Sequence, residues 1–310
     1  MMSVTKLGEN LGRIYILLFI VMAVWGFNLS ALFVLVQNIE PITLTAFRIF
    51  TAGAAVLVIT KFIGIFRLPT KKEWKTIAFI TVFNVALHHT LLALGLTKTS
   101  GANASIILGA APLMTMILSI LLLGDRISRL RVLGFILGFA GIMITSLAGG
   151  EGLHGISIGD GIIFMSMFSQ ALSFILISKL NPTFDPRLLT GYMLVVGSFF
   201  IFLVSIFIEQ DVGQITKLFS PKLGAIFLFS ALVATAFGHM VYNYAIKKVG
   251  PAETAIFVNL NTFFALLGTV IFLGERLGSM HFVGLGFIVL GVFFGAGTVE
   301  YLWKKRRLKK

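Results

Sequence analysis

Two histidines 150 residues apart, His89 and His239, have the type and spacing that point most directly to chemistry in this chain. Each interrupts a long apolar run. Counted from the nearest basic residue, Lys98 for one and Lys247 for the other, each lies about eight or nine residues in, or ~13 Å along a helix. Imidazole is the one side chain whose unperturbed pKa falls in the physiological window, so either could carry a coupling proton. The alternative is a neutral histidine hydrogen-bonded between helices. Arg48 lies in a third apolar run, roughly 10 Å below its start. A cation there either attracts a substrate carboxylate or phosphate or ties helix ends through backbone carbonyls. Trp25 offers an aromatic wall, and Asn243, one turn beyond His239, shares its face. Asn259 and Asn261 are about 200° apart on a helix, so both can line one cavity only where the helix is broken. Asn28, Asn84 and Gln170 are further polar positions, as suited to joining helices as to touching a solute.

Other chemistries are poorly served. The chain has no HExxH, GxSxG or paired-aspartate motif, and His88 and His89 are too close on one helix to share a metal. It has no cysteine, which rules out disulfides, thiolate catalysis and thiolate-bound metals. No Asp or Glu stands in the middle of an apolar run, which disfavours carboxylate-based cation exchange. We therefore expect neither an enzyme nor a cofactor nor a metal. A channel would require rings of one charge sign, and a scaffold would not require paired histidines at depth.

The elements that must position these residues follow from composition. Hydrophobic residues make up 57% and charged residues 12%, so the apolar surface has no water-soluble core large enough to hold it. The expected fold is an all-α membrane protein, with the lipid bilayer as its surroundings. Apolar windows long enough to cross ~30 Å of hydrocarbon fall near 14–36, 42–65, 75–97, 101–123, 130–148, 158–178, 187–208, 223–246, 251–273 and 280–302. The net charge of +13 raises the question of nucleic acid, but the basic residues sit in short gaps and a terminal tail, so no such partner is expected. Lys and Arg divide 20 to 4 between alternate gaps, with Arg48 inside a span. That bias places both termini in the cytoplasm, in a multi-pass protein of the cell (cytoplasmic) membrane.

The sequence also repeats. Leu123-Gly124-Asp125-Arg126 returns as Leu273-Gly274-Glu275-Arg276, and the same offset of 150 carries His89 onto His239, Gly134 onto Gly284 and Gly141 onto Gly291. An earlier stretch matches at 145, with Pro41 over Pro186 and Thr45 over Thr190. The halves are thus 1–150 and 151–310, the second ending in the basic tail. Five spans per half is an odd number, so the second repeat enters the membrane upside down, a construction built for alternating access around a midplane site.

Trp25-Gly26, the run Pro41-Ile42-Thr43-Leu44-Thr45-Ala46-Phe47-Arg48, the step Ala110-Ala111-Pro112 and the doubled LGDR and LGER before a glycine-rich last helix resemble the EamA family of the drug/metabolite transporter superfamily. The resemblance covers nearly the whole chain. It implies a ten-helix exporter of small metabolites, such as amino acids, purines or drugs, with a central cavity. The chain departs from the family pattern at Thr262, where a proline is expected, and at His239.

On these grounds the expected route is lined by Trp25, Arg48, His89, His239, Asn243 and Asn259, with His89 and His239 as candidates for proton coupling. Pro112 should break the fourth span, and the ninth is its counterpart. Glu253, in the first turn of the ninth span, either faces the pathway or offsets the helix dipole. Asp125-Arg126 and Glu275-Arg276 are expected to join helix ends on opposite faces. Stripes of glycine at Gly134, Gly138 and Gly141 and at Gly284, Gly291 and Gly295 favour close helix packing, and offer a face to a second protomer in a homodimer.

Overall fold

A computed structural model describes residues 4–148, 157–274, 276–297 and 299–300. Glu275 and the basic tail from Lys304 lie outside the described residues. Those described form helices joined by short turns, with no strand among them.

Helix α1 spans Val4–Val36 and begins well before the apolar window that predicts it. Helix α2, Pro41–Phe62, opens on a proline whose missing N–H is lost at no cost in a first turn. Helix α3, Lys71–Leu96, starts from a capping box in which Thr70 and Glu73 satisfy each other's backbone groups. The fourth span is broken as expected: α4, Gly101–Gly109, and α5, Ala111–Leu123, meet at Ala110, where Pro112 cannot supply an N–H to continue one helix. Then come α6 (Arg129–Ala148), α7 (Ile158–Ser178) and α8 (Pro186–Ile208). A short 3-10 turn, Val212–Phe219, leads to α9, Pro221–Val249. Helix α10, Pro251–Phe272, contains a 3-10 turn at Ile256–Val258, the irregularity expected opposite Pro112. Helix α11, Ser279–Gly295, is the last.

Among the described residues nine helices are long and apolar enough to span a bilayer, and α11 is a shorter apolar helix of 17 residues. It ends seven residues before the predicted limit, at a turn where Gly297 has a φ of 72°. Bulky side chains such as Phe62, Leu121 and Phe207 stand bare on the outside, at 87%, 72% and 85% exposure, which only a lipid surrounding accommodates.

The repeated Leu-Gly-acid-Arg string proves to be a helix stop. Gly124 and Gly274 both adopt φ 72° in the left-handed region, a conformation glycine takes without steric penalty, and end α5 and the ninth span. Asp125 and Arg126 form no ion pair among the described residues and line a shallow polar cleft with Arg131 and Glu253. The ion pair at this end belongs to Arg131, so the expectation that Asp125-Arg126 joins helix ends by pairing is corrected, while Glu275 of the second copy lies outside the described residues.

The glycine stripes are likewise used inside one chain. Helices α6 and α11 run antiparallel with backbone on backbone: Gly134 meets Gly291 and Gly295, Gly138 meets Gly291, and Gly141 meets Gly284 and Ile288. A methyl group on Gly134, Gly141, Gly284 or Gly291 would collide with the opposite backbone, and one on Gly138 or Gly295 with the side chain of Asn259 or Ile256. They are therefore occupied within the chain itself. Elsewhere α2 packs on α8, α1 on α10 and α9, and α3 on α7.

Candidate functional site

Helices α3 and α9 contain π-helical stretches, at Val82–Leu87 and Phe229–Phe237, that the apolar pattern does not announce. Widening the turn frees backbone carbonyls, and side chains take them up. In α9 the indole Nε1–H of Trp25 donates to the Ala234 carbonyl (2.7 Å) and the Thr235 hydroxyl donates to the Ser230 carbonyl (2.8 Å). The His239 Nδ1 lies 3.0 Å from the Thr235 carbonyl. With Nδ1–H as that donor, the neutral ring keeps Nε2 as an acceptor. In α3 the hydroxyls of Ser169 and Ser166 reach the carbonyls of Phe83 and His88 (2.7 and 2.8 Å).

Arg48 enters this arrangement from α2. Its Nη1 donates to the Thr235 hydroxyl at 2.6 Å, while the side chain is only 8% exposed. The Nε–H is buried without an acceptor. His89 and His239 both lie within electrostatic reach of the guanidinium and of each other. Trp25 stacks obliquely on His239 and Tyr242, with ring centroids 5.1 and 5.3 Å away, and Phe174 extends the row from α7 at 5.2 Å from Tyr242. Gly238 makes this possible, since a Cβ there would strike the Trp25 ring.

Four of the six expected residues, Trp25, Arg48, His89 and His239, thus come together. Asn243 lies a turn below, buried, with its amide donating to the Thr190 hydroxyl (2.9 Å), a link between α9 and α8. Asn259 is placed apart: its amide lies against the Gly138 backbone beside Ile256, and neither polar atom has a partner. His88 is fully engaged, with Nδ1 2.9 Å from the Ser166 hydroxyl and Nε2 2.9 Å from the Gln170 amide. Glu253 faces Arg131 rather than the cluster, and Arg131 also reaches Glu300 at 3.0 Å. Thr235 is the member that the sequence pattern passed over, because a threonine inside an apolar run draws no notice until Arg48 is seen to bond it.

Comparison with known proteins now bears on what this cluster serves. The profile of the EamA-like transporter family matches twice, over residues 12–147 and 157–296. The chain belongs to the EamA-like transporter family. It is an integral membrane protein of transporter lineage. Relatives include YyaM of Bacillus subtilis (strain 168), named as an uncharacterized transporter, 27% identical over 84% of this chain and 86% of that one. An uncharacterized transporter of Archaeoglobus fulgidus is 25% identical over 90% and 97%. The WAT1-related protein At3g02690, chloroplastic, of Arabidopsis thaliana is 22% identical over 87% of this chain and 66% of its own. A solved crystal structure, 16% identical, superposes with a TM-score of 0.73 over 91% of this chain and 98% of that one, a likeness of fold.

Proposed function

We propose that the chain is a secondary active transporter that moves a small organic metabolite, an amino acid, purine or drug-like solute, by alternating access, in the direction of export. The observation that carries this reading is that the central contacts join the two halves: Arg48 bonds Thr235, and Trp25 bonds Ala234 and stacks on His239. A solute held there touches both halves at once, which is what a rocking mechanism uses.

The halves are read as inverted five-helix repeats, 1–150 and 151–310, with α11 as the tenth span and both termini on the cytoplasmic side of the cell membrane. The α6–α11 seam supports the inversion. Under the offset of 150, the contact of Gly141 with Gly284 becomes that of Gly291 with Gly134, and the contact of Gly138 with Gly291 becomes that of Ile288 with Gly141. A contact set that maps onto itself in an antiparallel pair is what a two-fold axis in the membrane plane produces. In this reading Trp25, Arg48, His89, His239, Asn243 and Asn259 line the route, and His89 and His239 carry the coupling proton.

Counterflow in proteoliposomes, run against an amino-acid, nucleobase and cation panel with and without a pH gradient, tests the proposal. Saturable exchange that responds to the gradient and is lost in His239→Ala is expected. Indifference to both removes the proton from the mechanism, and a non-saturable conductance removes the carrier.

A further inference from the structure

We infer that the solute of this site is a small organic oxyanion, its carboxylate or phosphate group held by the guanidinium of Arg48. The inference rests on the transporter reading above and narrows its solute to the anionic class, setting zwitterionic amino acids and uncharged purines aside.

The charge of Arg48 has no partner acid among the described residues. Arg48 is permanently cationic. Of its donors, Nη1 meets the Thr235 hydroxyl, whose own proton is committed to Ser230, and Nε meets nothing. In the sequence all 12 acidic residues stand at span ends or in the gaps between spans, and among the described residues no carboxylate pairs with Arg48. The ionisable groups near it, His89 and His239, cannot supply negative charge. A guanidinium edge with an unused Nε–H fits the two oxygens of a carboxylate or phosphate.

The second half tells against a purely structural arginine. The offset of 145 carries Arg48 onto Met193, and the offset of 150 relates Thr235 to Val85. Both are buried and apolar, on helices α8 and α3 that also pack together. A crossing of the same kind is therefore closed without any cation, and the charge is an addition made once. A zwitterion or cation fits poorly, because no carboxylate is present to meet an ammonium group.

The test uses the full chain in lipid nanodiscs and reads thermal unfolding with size-matched ligands: monocarboxylates, dicarboxylates, phosphate esters, inorganic phosphate, zwitterionic amino acids, nucleobases and organic cations. Ligands that bind the folded state raise its midpoint. At least one anionic class is expected to raise it by several degrees, with neutral and cationic members inert. The carboxylate and phosphate arms tell the two oxyanions apart. Arg48→Met, which copies Met193, is expected to abolish the shift while leaving the ligand-free midpoint equal or higher; a structural arginine would lower it. Arg48→Lys should keep a weakened shift. Stabilisation by neutral or cationic ligands alone, anion stabilisation that survives Arg48→Met, a ligand-free midpoint lowered by that change, or no stabilisation by any member overturns the inference. Saturable counterflow of an uncharged solute would overturn it too, yet leave the transporter standing.

Discussion

At one end of the molecule the hydroxyl of Tyr15 lies against the carboxylate of Glu253, and at the other the carboxylate of Asp160 receives the amide of Asn103 at 3.1 Å. These are related positions. Tyr15 and Asp160 are 145 apart and Asn103 and Glu253 are 150 apart, the same offsets that relate the halves. Each contact joins first half to second with the acid in the second half, so the acid stands at one member of the related pair of positions in one contact and at the other member in the other. The surroundings differ too. Glu253 is paired with Arg131, which also holds Glu300, so this end is closed by ions. Asp160 is held by neutral donors, the Thr99 hydroxyl, the Asn103 amide and the Ser157 backbone N–H at 2.9 Å. The fold thus needs a polar closure at each end and does not prescribe its chemistry. One end is sensitive to charge screening, the other to the loss of individual hydrogen bonds.

The seam that both ends share is the most sensitive point of this arrangement. Gly291→Val forces side-chain atoms into the Gly138 backbone, an overpacking that costs about 1–3 kcal/mol or more, and is expected to loosen both ends together. The chain has no cysteine, so single reporters at the buried positions Ala252, near Glu253, and Ala104, near Asn103, read each end by thiol labelling. Next in size, Arg131→Gln leaves Glu253 and Glu300 without their cation. The side chains are 20–35% exposed, so a loss of about 1–2 kcal/mol is expected rather than that of a fully buried pair. Labelling should rise at Ala252→Cys and stay low at Ala104→Cys; equal rises would mean that the ends do not close independently. Asp160→Asn is the converse, removing one of the two acceptor oxygens that serve Thr99, Asn103 and the Ser157 capping box, for about 1 kcal/mol, with labelling rising at Ala104→Cys alone. The smallest effect is that of salt. Raising it from ~0.1 to ~1 M shortens the screening length from ~10 to ~3 Å and should loosen only the Arg131 end, by a few tenths of a kcal/mol.

Much of this architecture is legible in the sequence, for identifiable reasons. Spans follow from the length of apolar runs, and their starts from Pro41, Pro186, Pro221 and Pro251, each at the head of a helix. The break near Pro112 follows from a missing N–H. The π-helical stretches were not legible, because their register is held by donors on other helices, such as Trp25, 209 residues from Ala234. The glycine stripes were visible, but not that they face each other, since a stripe says how closely something packs and not what. His88 and His89 illustrate both outcomes. Their different facings follow from helical geometry, while the engagement of His88 with Ser166 and Gln170 depends on α7 lying opposite. Arg131 was counted among the basic residues of a gap, and only the approach of Glu253 gives it a partner.

One feature of the last helix reaches beyond the protein itself. At 17 residues, α11 extends about 26 Å, short of the ~30 Å of hydrocarbon a bilayer presents, while its seam partner α6 has 20. In the ten-span arrangement proposed above the two are fastened backbone to backbone, so α11 does not slide or tilt alone to make up the difference, and the lipids beside it thin instead. The acyl-chain length of the host membrane is therefore a variable that this carrier feels directly, through the helix least able to adjust.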